Sequence, residues 1–200
     1  MMHPLNPSVR IIALCALSAS AMACAEPAPL VPVADAAAEI RDDVVDDEVT
    51  APVVLDDLDM TAEDFECLTR WTRVRRFYVT NKAGRLEETL AVANAPAGKT
   101  YPVGTIIQLV PFEAMVKRRS GWSPESNDWE FFALETDETG TTIISRGGAG
   151  VENQFGAECL PCHVKAIDWD MTCEQDHGCD PLTLTDFIVD SFVNNDPRCP

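Results

Sequence analysis

The cysteines constrain the folding of this chain more than any other feature of its sequence. Eight cysteines occur among its 200 residues, and five of them follow residue 158. In an oxidising compartment cysteines are paired in disulfides or committed to a cofactor, whereas in the cytosol they usually stay reduced. Whether the protein is exported therefore decides how its cysteines are interpreted.

Residues 1–23 are typical of a secretory signal peptide. Arg10 supplies a positive charge, and the apolar run at 11–22 is too short to span a bilayer. Two processing sites fit its end. The segment before Cys24 resembles a lipoprotein box, in which Cys24 is acylated, and the alternative is ordinary signal peptidase cleavage before Glu26. Both predict export to the periplasm, either as a soluble protein or as a lipoprotein anchored to a membrane through Cys24.

Residues 24–60 read as an acidic, disordered linker. Between Glu26 and Asp64 there are thirteen acidic residues and a single basic one, Arg41, in a chain whose formal net charge is -18. Like-charge repulsion and the scarcity of aromatic residues oppose a packed core in this segment. A chain this acidic is also repelled by nucleic acid, so we expect no nucleic-acid partner.

Residues 61–200 are predicted to form one α+β domain with a central antiparallel sheet and short flanking helices. A capping box at Thr61–Asp64 begins a short helix that continues through Trp71. Strands are predicted at 74–80, 105–110, 129–134 and 141–146, the last two as a hairpin. Further helices are predicted at 85–94, around the cysteines near 160, and at 182–192, the last of them beginning at Pro181 or Thr183.

The segment Cys159–His163 has the sequence Cys-Leu-Pro-Cys-His, the attachment motif of haem c. Two thiols three positions apart on a helical turn can each form a thioether with one vinyl group of the same porphyrin. The adjacent His163 then provides an axial ligand to the iron. The motif predicts one covalently bound haem c.

Two other readings of these cysteines remain open. A structural zinc site is one, because soft ligands are dense here; its candidate ligands are Cys159, Cys162, Cys173, His177 and Cys179. A thioredoxin-like redox pair is the other, although no βαβ pattern surrounds the motif.

Four further cysteines of the mature chain are predicted to form two disulfides. Cys173 and Cys179 bracket a turn at His177-Gly178 and are the preferred pair. Cys67 then joins Cys199 and closes a loop of more than a hundred residues, which staples the carboxyl-terminal tail to the first helix.

The order of several short segments resembles the cytochrome P-460 family of c-type cytochromes. The segments are Tyr101–Thr105, Glu113–Lys117, Trp129–Phe132 and Cys159–His163. The resemblance covers roughly residues 70 to 165 and implies a small, mainly antiparallel β haem domain, often a homodimer, with an open distal side. Some members oxidise hydroxylamine or nitric oxide, and the related beta-type cytochromes c-prime bind nitric oxide and carbon monoxide.

The sequence departs from that family at two places. The hydroxylamine-oxidising members carry a lysine that is cross-linked to the porphyrin, and Leu109 stands at about that position here, whereas Lys99 and Lys117 are displaced from it. The family resemblance does not account for the tail from Cys173 to Cys199. We therefore expect binding of a small diatomic ligand or electron transfer with a redox partner protein, and less readily oxidation of a nitrogen compound.

The remaining candidate site residues are those expected on the side of the haem iron opposite His163. Alternation along the strand at 105–110 puts Thr105, Ile107 and Leu109 on one face, and Ile107, Leu109, Trp129 and Phe131 are the expected residues of an apolar distal pocket. Met115, Met171 and His177 are the possible sixth ligands, although methionines are more often core residues and Asp176–Gly178 is typical of a turn. The alternative function is a non-haem, zinc- or disulfide-stabilised binding module.

Overall fold

A computed structural model describes residues 58–182 and 184–200, in which six strands form one antiparallel sheet. The strands lie in the sheet in sequence order, so each pairs with its neighbour in the chain. They are β1 (Thr72–Val74), β2 (Phe77–Asn81), β3 (Thr105–Gln108), β4 (Glu113–Lys117), β5 (Trp129–Asp137) and β6 (Gly140–Gly147). The helices are α1 (Leu86–Ala93), α2 (Cys159–His163) and α3 (Asp186–Asn194), with 3₁₀ turns at Ala62–Asp64, Leu68–Arg70, Pro124–Ser126 and Val164–Trp169. The predicted α+β class with a central antiparallel sheet is confirmed.

Two sequence predictions at the start of the domain are wrong in detail. The expected helix from Thr61 to Trp71 is two 3₁₀ turns, although the capping box is present, with the Thr61 amide donating to Asp64 Oδ2 at 2.8 Å. The single strand predicted at 74–80 is the hairpin β1–β2. Its turn includes Arg75, at a φ of 52°. No glycine or asparagine occurs in this turn, so the sequence pattern did not indicate a turn here.

The later elements follow the predictions more closely. α1 and the hairpin β5–β6 occupy the expected regions, and each strand of the hairpin is longer than predicted. α3 begins later than Pro181 or Thr183, because the side chain of Thr185 caps it by accepting from the Ile188 amide at 3.4 Å. β4 is a strand that hydrophobic alternation alone did not reveal.

Both faces of the sheet are covered by apolar side chains. One face carries Ile107, Met115 and Phe131, against which α1 and α2 pack, and the other carries Ile106 and Phe132. Neighbouring residues on a strand thus enter different cores, as the two-residue period of a strand requires. The first of these faces positions the candidate site.

The carboxyl-terminal tail is tied to the beginning of the domain. Cys67 is bonded to Cys199 and Cys173 to Cys179, so both predicted disulfides are confirmed. Asp196 reinforces the first disulfide, because its carboxylate accepts from the Leu68 amide at 3.2 Å and from Arg198. Basic residues of the first hairpin pair with acidic residues of the tail: Arg73 with Asp190, Arg75 with Glu174, and Arg76 with Asp186.

The amino-terminal expectations fall mostly outside the described residues. These are the signal peptide, the lipidation site Cys24 and the linker up to residue 57. Met60, expected at the end of the linker, is buried with Phe65 and belongs to the folded domain. Within 58–182 and 184–200, no helix has the length and apolar character needed to cross a membrane.

Candidate functional site

The Cys-Leu-Pro-Cys-His motif forms α2, a helix of five residues. Cys159 and Cys162 are one helical turn apart, which places them on the same side of the helix. Both have free thiols, in contrast to the four cysteines in disulfides. Burial raises the pKa of the Cys159 thiol to about 12, and the pKa of Cys162 is also raised by burial, with Lys165 opposing the shift. Both thiols are therefore protonated at neutral pH.

His163 is held in one tautomer by the backbone. Its Nδ1 lies 2.7 Å from the carbonyl oxygen of Met171. A carbonyl oxygen can only accept, so Nδ1 carries the proton and Nε2 keeps its lone pair. Burial lowers the pKa of His163, which keeps the imidazole neutral near pH 7. A neutral imidazole with a fixed Nδ1–H and a free Nε2 is the form that ligates a metal ion.

A buried polar cluster fixes the carbonyl that orients His163. Asp170 and Met171 both have left-handed backbone, with φ of 50° and 61°, which a non-glycine residue adopts at a cost. The Asp170 carboxylate accepts from Lys117 Nζ at 2.6 Å and from the Tyr101 amide at 2.7 Å. The indole of Trp129 donates to the Asp170 carbonyl, also at 2.7 Å. These bonds stabilise the strained pair and thereby hold the Met171 carbonyl in place.

A cleft lies between α2 and the sheet face that α2 covers. Its cavity volume is about 120 Å³, below the usual range for sites that enclose a small molecule or cofactor, so a larger group would extend from the cleft into solvent. Its apolar lining includes Phe77, Ile107, Leu109, Met115, Phe131 and Leu182. Cys159, Cys162 and His163 all line the same cleft. The structure therefore brings the whole motif to one apolar site.

The four residues expected in the distal pocket do not share one environment. Ile107 lies on β3 and Leu109 in the bend that follows, because the strand predicted at 105–110 ends at Gln108, and both line the cleft. Phe131 also lines it, but its ring centroid lies 5.0 Å from that of His163, so it packs beside the predicted axial ligand. Trp129 is fully buried and does not line the cleft, because its indole is committed to the Asp170 carbonyl.

Glu113 is a cleft residue that reasoning from the sequence missed. Its carboxyl group is largely buried, and its Oε1 has no hydrogen-bond partner among the described residues. Burial raises the pKa of Glu113 to about 7. The only signal in the sequence was an acidic residue at the end of the apolar segment 109–112, which does not reveal where the side chain points. The cleft is therefore largely apolar, and besides the motif its polar lining consists of the Glu113 carboxyl group, Arg76, Thr172 and Glu174.

The possible sixth ligands are separated by the fold. Met115 lines the cleft, whereas Met171 is buried in the core beneath it. His177 stacks on Trp169 at a centroid distance of 3.8 Å, and its Nδ1 donates to the Thr172 carbonyl at 2.7 Å. It does not line the cleft, and it lies beside the expected turn. Of the three candidates, Met115 alone is positioned at the site.

The expected zinc ligands are only partly brought together. Sulfur atoms of Cys162, Cys173 and Cys179 lie within 4.8 Å of one another, and neither Cys159 nor His177 belongs to that group. Two of the three sulfurs are joined in a disulfide, which is not the thiolate form that binds zinc. In this state the described residues do not assemble the four ligands of a structural zinc site.

Neither lysine considered for a porphyrin cross-link is available at the cleft. Lys99 does not line it, and the ammonium of Lys117 is bound to Asp170 in the buried cluster. Leu109, at about the cross-linking position, lines the cleft with an apolar side chain.

Comparisons with models of known protein families, with curated proteins and with solved structures found no match to this chain.

Proposed function

We propose that this protein is a mono-haem c-type cytochrome of cytochrome P-460-like fold. Cys159 and Cys162 would hold one haem c through thioether bonds, and His163 would be the axial ligand. The observation that carries the proposal is the hydrogen bond from His163 Nδ1 to the Met171 carbonyl, which leaves Nε2 as the one ring nitrogen able to bind iron. His177 makes the same kind of bond to a backbone carbonyl, so it is the position of His163 in the cleft, beside two free thiols, that distinguishes it.

The composition of the cleft fits a porphyrin. Its aliphatic and aromatic lining suits contact with an apolar macrocycle that extends beyond the cleft, and the two thiols in the cleft are the cysteines that no disulfide occupies. When bound, haem iron provides a coordination position for a small ligand and accepts or donates one electron. Ile107 and Leu109 give the site an apolar surface that favours an uncharged diatomic ligand. Binding of nitric oxide or carbon monoxide is therefore the first function proposed, and electron transfer with a redox partner protein is the second.

Glu113 favours one further candidate, the oxidation of a small nitrogen compound. Such a reaction releases protons, and a carboxyl group with a pKa of about 7 lies in the cleft to accept them. Because no lysine stands at the cross-linking position, this activity ranks below ligand binding.

A non-haem binding module, stabilised by the disulfides or by zinc, is the alternative from a different class. The two disulfides support it, since they staple the tail whether or not haem is present. It leaves unexplained why two free thiols and an oriented imidazole share one apolar cleft.

The proposed location is outside the cytoplasm, in the periplasm or on a membrane surface. The signal-like residues 1–23 support export, and the two disulfides favour an oxidising compartment. A lipid on Cys24 would anchor the protein to a membrane. Assembly as a homodimer is implied by the family resemblance alone.

Haem staining on a denaturing gel tests the proposal, because only covalently attached haem remains with the chain. The protein is produced in cells competent for cytochrome c maturation, together with a Cys159→Ala, Cys162→Ala variant. A variant that lacks a disulfide instead, Cys67→Ala with Cys199→Ala, is the matched control. We expect the wild type and the control to stain and the Cys159/Cys162 variant not to stain.

The His163→Ala variant distinguishes ligation of the iron from covalent attachment of the haem. We expect this variant to retain some stain and to lose the spectrum of a histidine-ligated iron. Well-expressed, folded wild-type protein without stain would contradict the proposal and favour the non-haem module.

A further inference from the structure

Cys162 lies beside a disulfide to which it does not belong. Its sulfur and those of Cys173 and Cys179 are all within 4.8 Å of one another. The sulfurs of Cys173 and Cys179 are also each 3.7 Å from the Cys162 carbonyl oxygen. Cys159, the other free thiol, is outside this group. The two cysteines of the motif therefore have different chemical surroundings.

Independent contacts hold the disulfide loop against the motif. Lys165, two residues after the motif, forms an ion pair with Asp180, the residue after Cys179. Gly178 has a φ of 88°, and a Cβ at this position would lie 2.9 Å from the Lys165 carbonyl oxygen. Only glycine allows so close an approach without strain. The short distances among the three sulfurs are thus supported by one side-chain ion pair and by one close backbone approach.

We propose that Cys162 and the Cys173–Cys179 disulfide form a thiol–disulfide exchange site in the haem-free protein. The Cys162 thiol, protonated at rest, loses its proton to solvent, and its sulfur then attacks one sulfur of the disulfide, for example that of Cys173. A Cys162–Cys173 bond forms, the Cys173–Cys179 bond breaks, and the Cys179 thiolate leaves and takes up the proton that Cys162 gave up. The number of disulfides is unchanged, so the step consumes no oxidant or reductant.

The exchange masks one of the two haem-attachment thiols. While Cys162 is in a disulfide it cannot form a thioether, and Cys159 remains free because it lies outside the cluster. Once a thioether forms, its sulfur is no longer a nucleophile, and the Cys173–Cys179 pairing becomes permanent. This consequence for attachment rests on the proposed function, whereas the exchange itself does not.

Trapping the pairing in haem-free protein tests the inference. A Cys179→Ser variant is produced in cells without cytochrome c maturation, acid-quenched, alkylated with iodoacetamide and mapped by peptide mass spectrometry. We expect Cys162 to be bonded to Cys173, with loss of alkylation at Cys162, while Cys159 is alkylated. A Cys159→Ser, Cys179→Ser variant is the matched control and should keep the same disulfide.

Several outcomes would overturn the inference. They are full alkylation of both Cys162 and Cys173, a Cys159–Cys173 disulfide formed as readily, or stoichiometric zinc in place of the new disulfide. The haem-loaded Cys179→Ser protein provides a second test, in which Cys173 should become alkylated because Cys162 is already consumed. Failure of haem loading would count against the proposed function alone, since the haem-free mapping still decides whether Cys162, and not Cys159, pairs with Cys173 once an oxidising compartment joins the two thiols.

Discussion

Removing the Cys67–Cys199 disulfide should destabilise the domain more than removing any other single cross-link. The variant replaces both cysteines with alanine, so that no unpaired thiol remains to react. The bond spans 132 positions, whereas Cys173–Cys179 spans 6. A disulfide stabilises mainly by restricting the unfolded chain, and the restriction grows with the logarithm of the loop length.

The loop lengths give the expected magnitudes. The chain-entropy relation assigns about 5 kcal/mol to the longer loop and about 2 kcal/mol to the shorter one at 25 °C. The difference between the two double-alanine variants should therefore approach about 3 kcal/mol. The folded structure should persist in the first variant, because Asp196 and Arg198 still connect the tail to Leu68 and Phe65.

Urea unfolding followed by circular dichroism measures both quantities. We expect a lower midpoint for the variant lacking Cys67–Cys199 and also a larger slope m, because an unfolded chain without the cross-link exposes more surface. The Cys173→Ala, Cys179→Ala variant is the control and should show a smaller change in both. Equal losses in the two variants, or an unchanged m, would refute the reasoning that the effect resides in the unfolded chain.

Three other changes test the site and its surroundings. Asp170→Asn leaves Lys117 buried without a counter-charge and should cost about 3 to 5 kcal/mol of unfolding free energy, while adding Lys117→Met should recover part of it; no recovery in urea titrations would argue against the pair. The pKa of Glu113 is raised in the folded state from 4.5 to about 7, so the folded protein binds more protons in that range and its stability should fall as pH rises from about 4.5 through about 7. Glu113→Gln should remove this dependence, and identical pH profiles of the urea midpoint would contradict the burial of its charge. Cys24→Ala should release the protein from the detergent phase if Cys24 is acylated, and a mature chain shown by intact mass to begin at Glu26 would rule out the lipid.

The fold was predictable where local chemistry specified it. The hairpin β5–β6 follows from β-branched and aromatic residues flanking Thr139-Gly140, and both disulfides follow from cysteine spacing once the motif cysteines are set aside. The β1–β2 turn escaped prediction because Arg75 adopts a left-handed conformation that arginine rarely favours. That turn is stabilised by contacts with the tail, including the ion pair of Arg75 with Glu174, which are distant in sequence.

The residues of the candidate site were predictable and their environment was not. The motif Cys159–His163 singled out three residues that the structure brings to one cleft. The hydrogen bond that orients His163 depends on the backbone conformation of Met171. This conformation cannot be predicted from the residue type. The same holds for Glu113, whose position in the cleft depends on the pairing of β4 with its neighbours.

The absorption spectrum of the reduced protein, recorded with and without carbon monoxide, tests the central claim most directly. Protein purified from cells competent for cytochrome c maturation should show a Soret band that shifts when carbon monoxide is added, as expected for haem c ligated by His163 with an open sixth position. Folded protein without a Soret band would contradict the claim that haem is bound. A low-spin spectrum indifferent to carbon monoxide would instead contradict the open position and indicate Met115 as the sixth ligand.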